Sequence, residues 1–352
     1  MRGQIVVPVH SSTRPVRRAV ESVLDNPEFG VVLVAHGVDP QRLDFPAGPR
    51  VEVVEVREGV GYPGVAFNRG FEAATADCVG VLGTDDWYEP GALTRMLEHA
   101  AGDGADGVLA PQRRQGEPRN TGIPAAWNRK NLRAAKDRLF WRSSPLGIYK
   151  KGLLGIGNYR FDETVKAGVD QLNGALLWTA GHEISYYPND PAYVVGDGSG
   201  DRVSTASAAL SVHSRSWETL WDDKCIRSLS LADRRALANR MLTVNVFSVL
   251  IPRVLGGTLD ARDLEWLSVL SEKMTEVAPG MERTLSLGHR RIFRALLEGD
   301  AQELTEAVGR ASFVQNRLPS HPSAVLSPHF WLRSSAAARV NRLRGWFERR
   351  EA

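Results

Sequence analysis

The stretch that decides the fold reads Val79-Gly80-Val81-Leu82-Gly83-Thr84-Asp85-Asp86-Trp87-Tyr88-Glu89-Pro90. Val79, Val81 and Leu82 form the short apolar run that a strand buried on both faces requires. Asp85 and Asp86 follow where that strand leaves the sheet. Pro90 and Gly91 then precede a helical period at Ala92, Leu93, Met96 and Leu97. Two carboxylates at the carboxyl end of a parallel strand offer hard oxygen ligands to a divalent cation, which can itself hold phosphates. A solvated acidic turn is the plain alternative, and the flanking sequence weighs between the two.

Upstream, Ile5 to Val9 reads as a first strand, followed by a polar turn at Ser11, Ser12 and Thr13 whose side chains suit helix capping. Arg14 to Leu24 places Val16, Ala19, Val20, Val23 and Leu24 on one helical face. Val31 to Ala35 and Val51 to Val56 are further strands, Gly59 to Gly64 a glycine-rich turn, and Ala66 to Ala76 a helix. Strands alternating with helices predict a mostly parallel sheet with right-handed crossovers and helices on both faces. Ligands on such sheets bind beyond the carboxyl ends of the strands, where His10, the Gly59–Gly64 turn and Asp85–Asp86 would gather.

Downstream, a strand is expected at Asp106 to Ala110, a basic insertion over Pro111 to Arg138, a helix from Asp170 to Gly181 and a strand at Glu183 to Tyr187. The pattern turns helical near Ser204, so the chain divides into residues 1–205 and a helical subdomain, 206–352. Near the end, Val340, Leu343, Trp346 and Phe347 share a face ringed by arginines, which suits an anionic lipid surface, an oligomer contact or a docked terminal helix. Trp127, Phe140, Trp141 and Tyr149, close to Lys150 and Lys151, read either as a sugar-stacking platform or as core.

Composition bounds the function. The chain has 352 residues, 43% hydrophobic and 24% charged, which is ordinary for a globular protein. A formal net charge of +3 gives no reason to expect nucleic acid as a partner. Two cysteines, Cys78 and Cys225, offer neither a disulfide framework nor metal spacing and suit a reducing compartment. The first residues lack the apolar run of a signal peptide, and no uncharged apolar stretch reaches about 18 residues. The expected location is cytoplasmic, with contact at the inner face of a membrane left open.

In ordered combination these motifs resemble family 2 glycosyltransferases, inverting enzymes on the nucleotide-sugar-binding, Rossmann-like fold called GT-A. Ile5-Val6-Val7-Pro8-Val9-His10 and Ala19-Val20-Glu21-Ser22-Val23-Leu24 are similar to the family's opening strand and helix. Gly61 to Gly70, ending Phe67-Asn68-Arg69-Gly70, resembles its glycine-rich turn and helix start. Leu82 to Leu93 is similar to its acidic metal motif, and Phe161-Asp162-Glu163 with Gly168-Val169-Asp170 to its acceptor-side motif.

The resemblance implies a donor site at Pro8, His10, Arg69, Asp85 and Asp86, a divalent cation (Mn2+ or Mg2+) on Asp85 with Asp86 in support, and Asp170 as general base. It implies transfer from a nucleotide diphosphate sugar to a glycan or polyol-phosphate-type acceptor, such as a cell-surface or wall polymer. Arg69 has a second reading, a surface arginine paired with Glu72 or Asp77, and Asp170 a second reading as a helix N-cap. Asp85→Asn is expected to weaken donor binding in divalent ion with little change in stability.

The chain departs from the family pattern in three places. Gly83 stands where an Asp usually precedes the metal ligand, Ala35-His36-Gly37 replaces the base-reading Asp pair, and Val169 precedes Asp170 in place of Glu. Base recognition would then fall to backbone near Pro8–His10 or to His36. The first two departures also admit a donor-binding or scaffold protein without turnover. A nucleotidyltransferase would need a glycine-rich, lysine-containing signature after the first strand, which is missing.

Overall fold

The computed structural model describes residues 1–117, 130–198 and 210–311. The chain forms two compact units, Met1–Arg133 with Arg142–Thr205, and Ala134–Trp141 with Ala206–Ala352.

In the first unit the chain runs β1 (Gly3–Val9), α1 (Val16–Leu24), β2 (Phe29–His36), β3 (Val51–Val56), α2 (Pro63–Ala73), β4 (Cys78–Val81), β5 (Trp87–Tyr88) and α3 (Ala92–Asp103). It continues through β6 (Gly107–Leu109), β7 (Gln112–Arg114), β8 (Gly147–Lys150), α4 (Gln171–Thr179), β9 (Ile184–Tyr186) and β10 (Tyr193–Val195). The main sheet has the order β3-β2-β1-β4-β8-β6-β9. Its strands run parallel except β8, which is antiparallel to both β4 and β6. A smaller sheet, β5-β10-β7, stands beside it.

The two faces of β1 explain why its residues are buried without alternation. Ile5, Val7 and Val9 pack with Val16, Ala19, Val20 and Val23 of α1 and with Leu93, Met96 and Leu97 of α3. The even-numbered residues face α2: a Cβ on Gly70 would come within 2.3 Å of Val6 and 2.9 Å of Val34, so glycine is what lets this helix lie against the sheet. Helices therefore cover both faces. Parallel register aligns Val9 with Ala35 and Ala35 with Glu55, so β1, β2 and β3 end along one edge.

Several expectations change. β5, β7, β8 and β10 are additional, and β8 converts the supposed aromatic platform into core, with Tyr149 fully buried and Phe140 nearly so. Trp127 lies outside the described residues. Ser11 and Thr13 do not cap α1; their hydroxyls bond to each other at 2.8 Å, and Pro15 stands at the N-cap. The basic terminal segment also lies outside the described residues.

In the second unit are α5 (Leu210–Asp222), α6 (Lys224–Ser228) and α7 (Leu231–Arg240), which runs through a π-helical turn, Met241–Val246, into α8 (Phe247–Leu255). α9 (Ala261–Val277), α10 (Leu287–Glu298) and α11 (Ala301–Arg310) follow. Asp260, Ser286 and Asp300 cap α9, α10 and α11 by accepting from backbone N–H groups of their first turns. Trp217 and Trp221 of α5 are fully buried, and Trp217 stacks on Trp266 of α9 with ring centroids 5.7 Å apart. The short turn Leu139–Trp141 belongs to this unit, where Ala135 N–H donates to Asp233 at 3.2 Å. No helix of the described residues is long and apolar enough to cross a membrane.

Candidate active site

The acidic turn after β4 sits at the carboxyl edge of the main sheet, and its two aspartates have opposite environments. Asp86 is fully engaged. Tyr193 of β10 donates its phenol O–H to Asp86 Oδ2 at 2.5 Å, and Gly196 N–H donates to Asp86 Oδ1 at 2.9 Å. The same phenol oxygen accepts from Gly83 N–H at 3.1 Å. Burial, and then the Asp86 charge, push the Tyr193 hydroxyl well above the ordinary tyrosine range, so it stays a donor. Gly83 is accounted for here: a Cβ would lie 2.6 Å from Asp86 Oδ2. The place where the family pattern has a second carboxylate is filled by Asp86 turning back toward Tyr193.

Asp85 is buried to 6% exposure and lies against Arg14, itself 8% exposed. The Arg14 guanidinium pairs with Asp85 Oδ2. The other carboxylate oxygen, Oδ1, is buried with no hydrogen-bond partner. Arg14 also reaches His10 Nε2 at 3.4 Å, which joins the end of β1 to the acidic turn. One helical turn on, Arg18 donates to the Asp85 carbonyl at 2.9 Å and lies 3.7 Å over the Trp87 ring. Pro8 lies in β1, immediately before this corner.

This donor set meets the cation test unevenly. Asp85 Oδ1 is a charged oxygen without a partner, which suits one ligand position on a hard ion. Both oxygens of Asp86 already accept hydrogen bonds. No group of three or more His, Cys, Asp or Glu gathers as a metal site among the described residues. Asp85 is the residue that would hold such an ion, through Oδ1.

The acceptor-side segment is built around Asn68, which has no exposed surface. Its amide donates to the Phe161 carbonyl at 2.9 Å and to Glu163 at 2.8 Å, and its oxygen accepts from Phe161 N–H at 2.9 Å. Phe67 and Phe161 stack with centroids 4.7 Å apart. Val169 O accepts from Asp162 N–H at 3.0 Å, closing the loop that delivers Asp170 to the start of α4. Asp170 stands at the N-cap position, yet its side chain makes no capping hydrogen bond.

Arg69 points into a surface network: it donates to Glu58 at 3.0 Å and to Glu72 at 2.7 Å. Glu72 also accepts from Arg160 at 2.6 Å, as does Glu163. His36 is buried, with Nε2 3.0 Å from the Glu58 carbonyl oxygen. His182 bonds the Tyr159 hydroxyl at 2.9 Å and sits at the amino end of β9, the opposite edge of the sheet.

The structure thus brings His10, Asp85 and Asp86 together and leaves Arg69 in ion pairs with Glu58 and Glu72. Arg14, Arg18 and Tyr193 went unread as site residues. The available signals were weak: an arginine before Pro15, and a short Tyr-Val-Val run ahead of Gly196.

Comparison with known proteins agrees with this geometry. The structure of S. aureus TarS 1-349 in complex with UDP-GlcNAc is 17% identical, with TM-score 0.71, covering 88% of this chain and 91% of that chain. The complex of the same protein with UDP is 16% identical, with TM-score 0.68, covering 88% of this chain and 90% of that chain. At such identities the likeness concerns the fold. No curated protein matches the sequence. The family model for glycosyl transferase family 2 matches residues 4–153, which span β1 through β8. That stretch is similar to glycosyl transferase family 2, and the fold is GT-A-like.

Proposed function

We propose that the protein is an inverting glycosyltransferase that moves a sugar from a nucleotide diphosphate sugar to an acceptor hydroxyl. The observation that carries this reading is the corner of His10, Arg14, Asp85 and Arg18 at the carboxyl edge of a family 2 sheet. Two guanidinium groups gather there, Arg14 on the buried Asp85 carboxylate and Arg18 on its backbone carbonyl, an arrangement suited to a diphosphate. The TarS structures hold UDP-GlcNAc and UDP, so UDP-GlcNAc is the first donor to try.

A divalent ion at Asp85 would supply Lewis acidity to the leaving diphosphate. Asp86, clamped by Tyr193 and Gly196, holds the turn in shape. Arg14 and Arg18 place positive charge beside the phosphates. Asp170 is assigned as general base, taking the proton of the acceptor hydroxyl as it attacks; one base and one displacement give inversion. Asn68 positions the loop that ends in Asp170. A glycan or polyol-phosphate acceptor on a cell-surface polymer is the proposed second substrate.

The test is a panel of nucleotide sugars scored for binding and for donor hydrolysis or transfer, in manganese and in EDTA. Manganese-dependent turnover of one donor is the expected result. Tight donor binding without hydrolysis or transfer would favour a binding or scaffold protein, and equal binding in EDTA would remove the cation.

A further inference from the structure

The helical unit carries a groove of about 530 Å3 along α9 and the start of α11. Leu259, Leu264, Val269 and Ala301 give it an apolar lining, with Asp260 and Glu265 among them. Leu264 is buried at its floor, whereas Val269 is 58% exposed, an aliphatic side chain with little to cover it.

The rim of the groove is acidic. Asp260 and Asp300 cap α9 and α11, each through its Oδ1. Asp263 and Glu303 follow in the first turns of the same helices. Glu298 ends α10, where the helix dipole disfavours negative charge. A hydrogen bond to Glu298, and then its charge, raises the Glu303 carboxyl above its ordinary value. The helix starts account for Asp260, Asp263, Asp300 and Glu303, but not for Glu265 or Glu298. Among the described residues the ion pairs of this unit join other groups: Arg227 with Glu276, Lys273 with Asp222, Arg283 with Glu282 and Arg310 with Glu306. An apolar floor with such a rim suits a cationic amphipathic segment.

The chain itself contains a segment of that chemistry. Val340, Leu343, Trp346 and Phe347 recur at helical spacing, with Arg339, Arg342, Arg344, Arg349 and Arg350 around them. Trp346 and Phe347 each have about 150–250 Å2 of surface to bury. The connection over residues 312–338 can extend to about 90 Å. The groove borders Ala301, at the near end of a helix only about 15 Å long, so reach does not limit the contact.

We infer that this groove is the docking site of the chain's own residues 339–350, with the apolar stripe on Leu264 and Val269 and the arginines toward Glu265 and Glu298. A lipid surface or a second copy would take the same stripe, but only the groove is tethered to it, which makes docking there intramolecular. The inference stands apart from the donor reading.

The test labels the groove in the full chain. Cys225, the exposed cysteine, is replaced by serine, Cys78 being buried, and Val269→Cys supplies an accessible thiol. Its rate of reaction with a maleimide is compared with and without the added substitutions Leu343→Glu, Trp346→Glu and Phe347→Glu. Loss of the stripe should speed labelling about 10-fold, the protection that a docking free energy of about 1.4 kcal/mol gives. Glu265→Lys with Glu298→Lys should speed it to a smaller degree, and Arg342→Glu with Arg344→Glu makes the same charge test if that pair does not fold. Val53→Cys, 41% exposed on β3, is the reference thiol, and its rate should stay the same throughout. Equal Val269→Cys rates with and without the stripe overturn the inference. Protection that grows with protein concentration overturns it in favour of a second copy, and protection that requires phosphatidylglycerol vesicles overturns it in favour of a lipid surface.

Discussion

The acidic corner at Asp85 and the loop around Glu163 both set carboxylates against arginines, and they do so in opposite ways. Around Glu163 the groups are part-exposed and every charge is matched: Arg160, Glu72, Arg69 and Glu58 form a chain of ion pairs on the surface. At Asp85 the pair is buried and one carboxylate oxygen has no partner. Exposed pairs contribute little because water and salt screen them, so their work is to hold the shape of a loop. A buried pair gives large effects when one member is removed, and an unmatched oxygen gives a ligand something to bind. The contrast separates the part of the site proposed to bind the donor from the part proposed to position the loop.

The variants that bear on this contrast span a wide range of effect. Asp170→Asn should lower transfer about 10²–10⁴-fold while leaving donor affinity near wild type, the usual contribution of a positioned base. Asp170→Ala should lower transfer at least as far as the asparagine variant does. Steady-state rates with a donor titration check this, and wild-type turnover in either variant removes Asp170 from the chemistry.

Asp85→Asn should cost about 1–3 kcal/mol of stability, since it replaces a buried charge-assisted contact with Arg14 by a neutral one. The sequence alone suggested a nearly silent change, because the partner 71 residues away is invisible there. Urea unfolding of the two proteins without ligand measures the difference, and an Asp85→Asn protein as stable as wild type would place Arg14 elsewhere in solution.

Asn68→Ala should cost about 2–3 kcal/mol, because the backbone groups of Phe161 lose a buried partner. Transfer should fall with it while Mn2+ binding is kept. A loss of Mn2+ binding in this variant would mean that the two regions are not separable.

Glu163→Gln should change stability by less than about 1 kcal/mol at neutral pH, as exposed pairs do. Its signature is in acid. The Asn68 hydrogen bond, with Arg160 beside it, holds the Glu163 carboxyl below its ordinary value of 4.5, and the Arg160 hydrogen bond does the same for Glu72. Groups with lowered folded values add stability above 4.5 and lose it as the pH falls through those values. Unfolding midpoints taken from about pH 7 to about pH 3 should therefore drop less steeply for Glu163→Gln than for wild type. Parallel curves would show that this carboxylate plays no part in the acid limb.

Most of the first unit's frame could be read from residues, for a physical reason. β1 and β2 are valine-rich runs buried by helices on both faces, and such runs stand out against any neighbour; β3, at the sheet edge, keeps the valines but is mostly exposed. β8 and β10 did not stand out. Gly-Ile-Tyr-Lys and Tyr-Val-Val are too short to show a period, and their pairing with β4 and β5 is a tertiary matter. The same distinction governs the site. Asp85, Asp86 and Asp170 belong to contiguous motifs, whereas Tyr193 meets Asp86 across 107 residues and Arg14 meets Asp85 across 71. Contiguity made the acids legible, and long-range pairing hid the residues that set their character.

Residues 134–141 belong to the helical unit although the chain on either side of them belongs to the sheet. The backbone therefore passes from one unit to the other three times, and residue 205 is not a clean place to divide a gene. A fragment ending there would keep Leu139 and Phe140, both buried in the intact protein, but lose α7, which supplies Asp233 as the acceptor for Ala135. Anyone wishing to study the sheet unit by itself would have to replace that excursion with a short polar linker as well as remove the carboxyl-terminal helices.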